Sequence, residues 1–413
     1  MTTCNDYDPK VLTVEQALQQ LEHDLQPIIG QEQMLLRNAL ERILSTDILS
    51  PINVPPHDHA AMDGYALRGT DLPHEGTAQF QLVGTSWAGK PYSETVGPFQ
   101  CARIFTGGVI PPGTDTVIMQ EDVTTQAEQV IIGKGHKVGQ HVCYQGEDLA
   151  AGQVVLHAGK RLMPADIGLL ASLGIVEVTV KRQLRAAFFS TGDELCPLGK
   201  IPQPGQIYDS NRHTMYSMLA RLGVEPIDLG VVPDDPAAIE STLEMGAECH
   251  DVIITSGGVS VGEADYVTDI LRRIGKIHFW KIAVKPGRPL IFGKIKQAAF
   301  FGLPGNPVSA MATFYQIVQP ALRRLMGQEK MVPVRVKVPC LSQLRKRPGR
   351  MEFQRGILEY NQEGQLVVRS TGKQGSALLS SMSQANCFIV LPMECEGVAA
   401  GTEVLVEPFE GII

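Results

Sequence analysis

The chain has 413 residues, 44% of them hydrophobic and 19% charged, with a formal net charge of -8. That length suits roughly two to four domains with substantial cores and leaves no room for extensive disorder. The acidic balance excludes general binding to nucleic acid or an anionic membrane, although a local cluster of cations can still hold a small anion.

No segment approaches the roughly 18 uninterrupted apolar residues of a membrane span. Residues 1–10 are polar, with neither a basic n-region nor an apolar h-region, so no secretory signal is expected. The eight cysteines (4, 101, 143, 196, 249, 340, 387 and 395) are scattered without a C-x-x-C pair. Reduced thiols in a cytoplasm fit that scatter better than a zinc site or a disulfide framework.

Thr13 can cap a helix carrying Val14, Ala17, Leu18 and Leu21. Leu35, Leu36, Leu40, Ile43 and Leu44 repeat at helical spacing, so residues 11–49 as a whole are predicted helical. Residues 50–59, with Pro51, Pro55 and Pro56, cannot continue a helix and form an extended connector. From about 75 to 145, short β runs (80–83, 102–105, 116–119 and 130–132) alternate with Gly- and Pro-containing turns, which predicts a small β domain. A helix at 165–173 and a strand at 176–180 follow.

Residues 185–326 alternate strands and helices. Strands are predicted at 186–190, 227–232, 252–255 and 279–284, with a hairpin at 290–294 and 298–303. Helices are predicted at 209–222, from Asp235-Pro236 to about 246, at 263–274, and from Asn306-Pro307 to about 326. Repeated β-α-β predicts a doubly wound, parallel α/β domain covered on both faces. Five strand-like runs after Gly327 (334–338, 351–358, 366–370, 387–391 and 403–406) predict a small barrel or sandwich. The resulting division is 1–50 with 146–181 as a helical and mixed linker domain, 51–145 as a β domain, 182–330 as the α/β domain and 331–413 as the C-terminal β domain.

In an open α/β sheet, ligands bind beyond the carboxyl ends of the strands. There the sequence places Ser190-Thr191-Gly192-Asp193-Glu194, Asp234-Asp235, the run Gly257-Gly258-Val259-Ser260-Val261-Gly262 with Asp265, then Lys281, Lys285 and Arg288, and Pro304-Gly305-Asn306-Pro307. The glycines let backbone N–H groups approach an anion, and a helix start just beyond adds positive potential. The Gly257–Gly262 loop taken alone is better read as an ordinary βα turn, and Pro304-Gly305-Asn306-Pro307 alone as a plain capped helix. Neither a G-x-x-x-x-G-K-[ST] nor a G-x-G-x-x-G pattern is present. Glu194, Asp234 and Asp265 form a set of carboxylates suited to Mg²⁺ beside a phosphate, and one of Asp234 and Asp235 is expected to cap a helix. Lys281, Lys285 and Arg288 can offset oxyanion charge, so the edge favours phosphoryl or pyrophosphoryl chemistry. Cys196 reads as a buried thiol, His57 and His59 as parts of a polar connector, and Arg345, Lys346, Arg347 and Arg350 as a solvated basic turn.

The segments PPHDHAAMDGYAL, FTGGVIPPGTDTVIMQED, GEDL, STGDEL, IYDSNR, SGGVSVGEADY, FWKIAVKPGRP and GLPGNPVSA occur in that order. Together they resemble the molybdopterin molybdenumtransferase family, MoeA, also found as the E domain of gephyrin, over residues 12–410. The resemblance implies an elongated linker domain, a β domain, a molybdopterin-binding-type α/β domain and a C-terminal β-barrel. It also implies a homodimer whose cleft draws on both subunits. The implied reaction takes adenylylated molybdopterin and molybdate, releases AMP and yields molybdenum cofactor, with Mg²⁺ or a similar ion assisting. A molybdopterin adenylyltransferase and apo-molybdoenzymes are the implied protein partners. Matched position by position, the family's functional residues fall on Asp63, Thr106, Asp148, Glu194, Asp234, Asp265, Lys281, Lys285 and Ser376. Where related bacterial sequences carry an arginine-rich run before GED, this chain has Val142-Cys143-Tyr144-Gln145. Two rival readings share part of the pattern. One is a molybdopterin adenylyltransferase, which has the same α/β domain type; the other is a non-catalytic scaffold or carrier of the cofactor.

Overall fold

In this computed structural model, which describes residues 11–259 and 266–410, Thr13 starts the first helix, Val14–Asp24, with a reciprocal cap. Its hydroxyl accepts from the Gln16 N–H at 3.2 Å, and its own N–H donates to the Gln16 carboxamide at 2.9 Å. Val14, Ala17 and Leu21 share one buried face, which enters a large apolar cluster with Phe292, Phe314 and Leu322.

The second predicted helix is absent. Gln31–Leu35 is a strand paired antiparallel with Glu177–Lys181, and Leu36–Asn38 is a single 3-10 turn. Leu36, Ile43 and Leu44 are buried as expected, but the N–H groups of Leu36 and Leu44 donate to Val176 and Lys160 across the fold. Tertiary ladders thus override a short run whose apolar spacing suits either structure. Ile48–Leu49 pairs with Val154–Leu156, so a second ladder joins the segments on either side of the β unit.

The β unit is a six-stranded sheet in the order Thr116–Met119, Gly64–Leu67, Gln100–Ile104, Thr77–Ser86, Gln129–Gly133, Val123–Gln126. It begins before residue 75, because Gly64–Leu67 is one of its central strands. A side chain at Gly64 would run into the Ile118 carbonyl, so glycine permits the close pairing that leaves Asp63 at the strand's start.

The α/β layer has six strands in the order Glu225–Val232, Arg185–Thr191, Val252–Ser256, Ala298–Leu303, Pro289–Ile295, Lys276–Lys281. The first four are parallel. The sheet is nevertheless mixed, because Pro289–Ile295 runs antiparallel to both its neighbours. Alternation places Phe188, Ile254 and Phe301 on one face with helices Ser210–Leu222 and Pro307–Thr313. It places Phe189, Ile253 and Phe300 on the other with helices Pro236–Cys249 and Tyr266–Ile274. Asp235 caps its helix as expected and Asp209 caps the one from Ser210, whereas the Asn306 side chain makes no cap hydrogen bond. The helix that follows passes through a π turn at Phe314–Val318 before continuing as Gln319–Leu325.

The predicted strand over 279–284 is split. Lys276–Lys281 stays in the α/β sheet, and Val284–Lys285 crosses to pair in parallel with Met351 and Glu352. The C-terminal sheet runs Val284–Lys285, Met351–Tyr360, Cys387–Leu391, Glu403–Pro408, Val336–Pro339, with Leu366–Ser370 also on Met351–Tyr360. Cys340 bridges to Val368. Phe353, Phe388 and Val390 join the same apolar cluster as the α/β layer, so the two sheets share a core. No helix among the described residues is long and apolar enough to cross a membrane.

Candidate active site

Four parallel strands end at Thr191, Val232, Ser256 and Leu303, so their following loops lie along one edge. The strand order reverses between Arg185–Thr191 and Val252–Ser256, which is where α/β sheets open a ligand crevice. Here the loops touch. A side chain at Gly257 would meet the Thr191 carbonyl at 2.5 Å, and one at Gly258 would meet Val267 at 2.7 Å; φ is +92° and +65°. Both positions therefore require glycine on conformational and steric grounds. The Gly257 N–H donates to the Leu303 carbonyl at 3.2 Å.

At this edge the buried Thr191 hydroxyl donates to Asp234 Oδ1, joining two neighbouring loops. The Glu194 carboxylate folds back over Gly192, where a β-carbon would lie 2.5 Å from Glu194 Oε2. Ser190 is turned inward: its hydroxyl donates to Asp209 Oδ1 at 3.2 Å and so reinforces the helix cap. Asn211 ties the edge together, donating to Ser256 Oγ and to the Gly305 carbonyl, each at 2.7 Å. Its motif was visible in the sequence, but its bridging role needed the fold. Pro304 is buried, while Gly305 and Asn306 are exposed ahead of Pro307, the first residue of the helix. Ser260, Gly262 and Asp265 lie outside the described residues.

Lys281 pairs with Pro289 at the same sheet edge, with its ammonium 4.8 Å from the Trp280 ring centroid. Arg288 lies in the turn between these strands, and its carbonyl accepts from the Ile282 N–H at 3.2 Å. Lys285, four residues on from Lys281, faces the C-terminal sheet and pairs with Glu352 at 3.1 Å. Ser376 comes to the edge from the C-terminal region, its carbonyl accepting from the Val308 N–H at 3.1 Å. The buried Arg355 holds this segment, donating to the Gly375 carbonyl at 3.0 Å and to Ser381 Oγ at 3.0 Å. Burial pushes the Arg355 pKa down to about 10, so it stays charged near neutrality.

The residues of the basic turn line an open cavity of ≈ 520 Å³ with Lys285 and Glu352; Arg345 and Arg347 are exposed, as expected of a solvated turn, and only Lys346 is buried. Arg345, Lys346, Arg347 and Arg350 form its basic wall. Lys346 is only 7% exposed and donates to the carbonyls of Arg347, Met393 and Cys395 at 3.1–3.2 Å. The charge run was legible; the burial of Lys346 and the approach of Lys285 and Glu352 were not.

Asp63 and Thr106 meet in the β unit. Asp63 Oδ1 accepts both the N–H and the hydroxyl of Thr106 at 2.8 Å. These hydrogen bonds, with a smaller contribution from Arg103, hold the Asp63 pKa below its usual value. Asp148 is exposed in the loop that follows, and its N–H donates to the Val54 carbonyl at 3.0 Å. Next to it, in the segment lacking the basic run, Val142–Cys143 pairs with His59–Ala60 and the Gln145 side chain donates to the Pro56 carbonyl at 2.8 Å.

Glu194 and Asp234 are exposed hard-oxygen donors on adjoining loops. Among the described residues no three His, Cys, Asp or Glu side chains form a metal cage. This donor set fits Mg²⁺, which takes one or two carboxylates and completes its shell with phosphate and water.

Three family models match the chain: the MoeA N-terminal region (domains I and II) over residues 12–174, a probable molybdopterin-binding domain over 187–324, and the MoeA C-terminal region (domain IV) over 337–409. A molybdopterin molybdenumtransferase of Haemophilus influenzae is 46% identical, covering 98% of this chain and 100% of that protein. One from Nostoc sp. is 38% identical over 88% of this chain and 86% of its own. The crystal structure of a molybdopterin biosynthesis moeA protein from Pyrococcus horikoshii OT3 superposes with a TM-score of 0.85 at 31% identity, covering 97% of this chain and 100% of that one.

Proposed function

The chain belongs to the MoeA family of molybdopterin molybdenumtransferases, and on that premise we propose that it inserts molybdate into adenylylated molybdopterin and releases AMP. It is a transferase of molybdenum cofactor biosynthesis. The observation that supports the detailed reading is that Thr191–Asp234, Glu194 and Gly257-Gly258 share the loops where the strand order reverses, with Lys281 farther along the same edge on its outermost strand.

In this reading the pyrophosphate lies along that edge. With the Gly257 N–H held by the Leu303 carbonyl, the loop it opens receives phosphate oxygens through its other backbone N–H groups, and Pro304-Gly305-Asn306-Pro307 offers a second helix start. Ser190 and Thr191 position these loops from beneath. Glu194 and Asp234, with Asp265, would hold Mg²⁺, which would supply charge neutralisation at the anhydride. Lys281, Lys285 and Arg288 attract molybdate, and Ser376 closes this side of the cleft. A lysine about 4 Å from a unit negative charge contributes on the order of 4 kcal/mol at an effective dielectric of 20. No protein nucleophile is needed, so positioning and preorganised charge carry the reaction. Asp63, Thr106 and Asp148 complete the cleft, contributed by the partner subunit of a homodimer.

The paired ladders 31–35 with 177–181 and 48–49 with 154–156 support the linker domain as divided above. The Cys340–Val368 bridge supports closure of the C-terminal sheet into a barrel. A cytoplasmic location belongs to the same reading. The family matches at 12–174 and 337–409 lie outside the α/β domain and favour the transferase over the adenylyltransferase.

The test is a single-turnover assay with adenylylated molybdopterin, Mg²⁺ and graded molybdate. Molybdate-dependent release of AMP together with cofactor formation is expected. Pterin adenylylation from ATP, with no molybdate dependence, would overturn the proposal in favour of the adenylyltransferase. Tight binding without turnover would overturn it in favour of a carrier.

A further inference from the structure

Trp87 lies at the head of a tight turn in the β unit, where it and Lys90 exchange both backbone hydrogen bonds at 3.0 Å. Its side chain is not folded into a core. The residue is 49% exposed, and its indole stacks almost flat on Phe105, with centroids 4.3 Å apart and planes 10° from parallel. Phe105 directly precedes Thr106, the partner of Asp63. The Arg103 guanidinium lies 5.0 Å from the Phe105 centroid and 4.9 Å from that of Tyr65, and donates to Gln120 and to the Gly64 carbonyl. The base of the stack is therefore braced and its Trp87 end faces solvent. The turn itself is bare: a β-carbon at Gly89 would meet nothing within 4 Å.

Two features specify an occupant. A half-exposed indole held flat by a second ring is a platform for a planar heteroaromatic system. On the other side of the strand that leads into Phe105, Asp63 uses Oδ1 for both Thr106 bonds, and Oδ2 accepts no hydrogen bond among the described residues. A carboxylate oxygen of that kind seeks donors. The 2-amino-4-oxo edge of a pterin presents an amino N–H and a ring N–H side by side. Adenine presents an amino donor next to a ring-nitrogen lone pair, which a carboxylate would repel.

We propose that Trp87 is a substrate-binding residue: the pterin ring of the adenylylated substrate stacks on its exposed face and directs its amino edge to Asp63. This rests on the function proposed above and assigns the pterin end of the substrate to the β unit, leaving the phosphates to the α/β edge.

The test compares wild type with Trp87→Ala, Trp87→Phe and Trp87→Leu. In the single-turnover assay, Trp87→Ala is expected to raise the half-saturating concentration of adenylylated molybdopterin roughly tenfold or more, the range for loss of one stacked ring. The saturated rate and the molybdate dependence stay as in wild type, and Trp87→Phe recovers most of the affinity. A free 6-substituted pterin should quench tryptophan emission in wild type and not in Trp87→Leu, and this readout requires no turnover. An inactive wild type that still shows Trp87-dependent quenching would sink the function and leave the ring site standing. Unchanged half-saturation and quenching in Trp87→Ala would overturn the ring site. So would weakened inhibition by AMP with pterin binding intact, or a changed oligomeric state with ring affinity retained.

Discussion

Lys285 and Glu352 stand opposite each other in a parallel ladder, and their side chains form an ion pair at 3.1 Å that ties the α/β layer to the C-terminal sheet. Glu352 is buried and also accepts from the Gln354 amide at 3.0 Å, whereas the Lys285 side chain is about half exposed. Lys285 thus serves both the joint between the sheets and the basic cavity.

Lys285→Met should lower the unfolding free energy by about 1 kcal/mol, the modest size reflecting the lysine's exposure, and should abolish most molybdate-dependent turnover. Adding Glu352→Gln should restore stability without restoring activity. Urea unfolding and the AMP-release assay on the double-mutant cycle separate the two effects. Recovery of activity in the double variant would show that Lys285 acts only through the joint.

Thr106→Val removes the hydroxyl that donates to Asp63 but keeps the N–H. The folded Asp63 carboxyl has a lowered pKa, so its stabilising contribution is present above the unfolded pKa and fades as pH falls through the folded value. Losing one donor raises that folded value. The acid limb of the activity profile should move to higher pH, and a carboxyl-carbon NMR titration of Asp63 should move with it.

Gly192→Ala places a methyl group 2.5 Å from Glu194 Oε2 at a φ of +146°, so both the backbone and the carboxylate must shift. A destabilisation of about 1–3 kcal/mol is expected. If Glu194 helps hold Mg²⁺, the Mg²⁺ concentration for half-maximal AMP release should rise, and chelation should stop wild-type turnover until Mg²⁺ is restored. An unchanged Mg²⁺ requirement in the variant would remove Glu194 from the metal site.

Arg355→Met deletes buried donors that hold the segment around Gly375 and Ser381. The cost should be about 2–4 kcal/mol, because carbonyls and a hydroxyl lose charged partners. Amide exchange at residues 373–381 should accelerate more than elsewhere. Uniform acceleration across the molecule would mean that Arg355 acts on global stability alone.

The alternating apolar pattern of residues 185–303 was enough to place the four parallel strands, the two-faced helical cover and the loops at the parallel strand ends, but not the split of 279–284 between two sheets. Asp235 was a recognisable cap because an acidic residue before a helix start satisfies N–H groups locally. These features depend on neighbours a few residues away. The second helix failed for the opposite reason: the N–H groups of Leu36 and Leu44 find acceptors at Val176 and Lys160. In the basic turn at 345–350, Arg345 and Arg347 are exposed as expected, and only Lys346 departs, because the carbonyls of Met393 and Cys395 draw its ammonium inward from elsewhere in the chain.

The sequence alone determined the family, the order of its motifs and the residue types at the candidate site, because these are written in contiguous segments with local hydrogen-bonding and periodic signatures. Only the tertiary structure decided that Thr191 meets Asp234, that Thr106 meets Asp63, that Lys285 turns to Glu352, and that Trp87 stands exposed on Phe105. Each of those contacts joins residues that strand pairing brings together across 18 to 67 positions, and no local propensity encodes which partner a side chain will find.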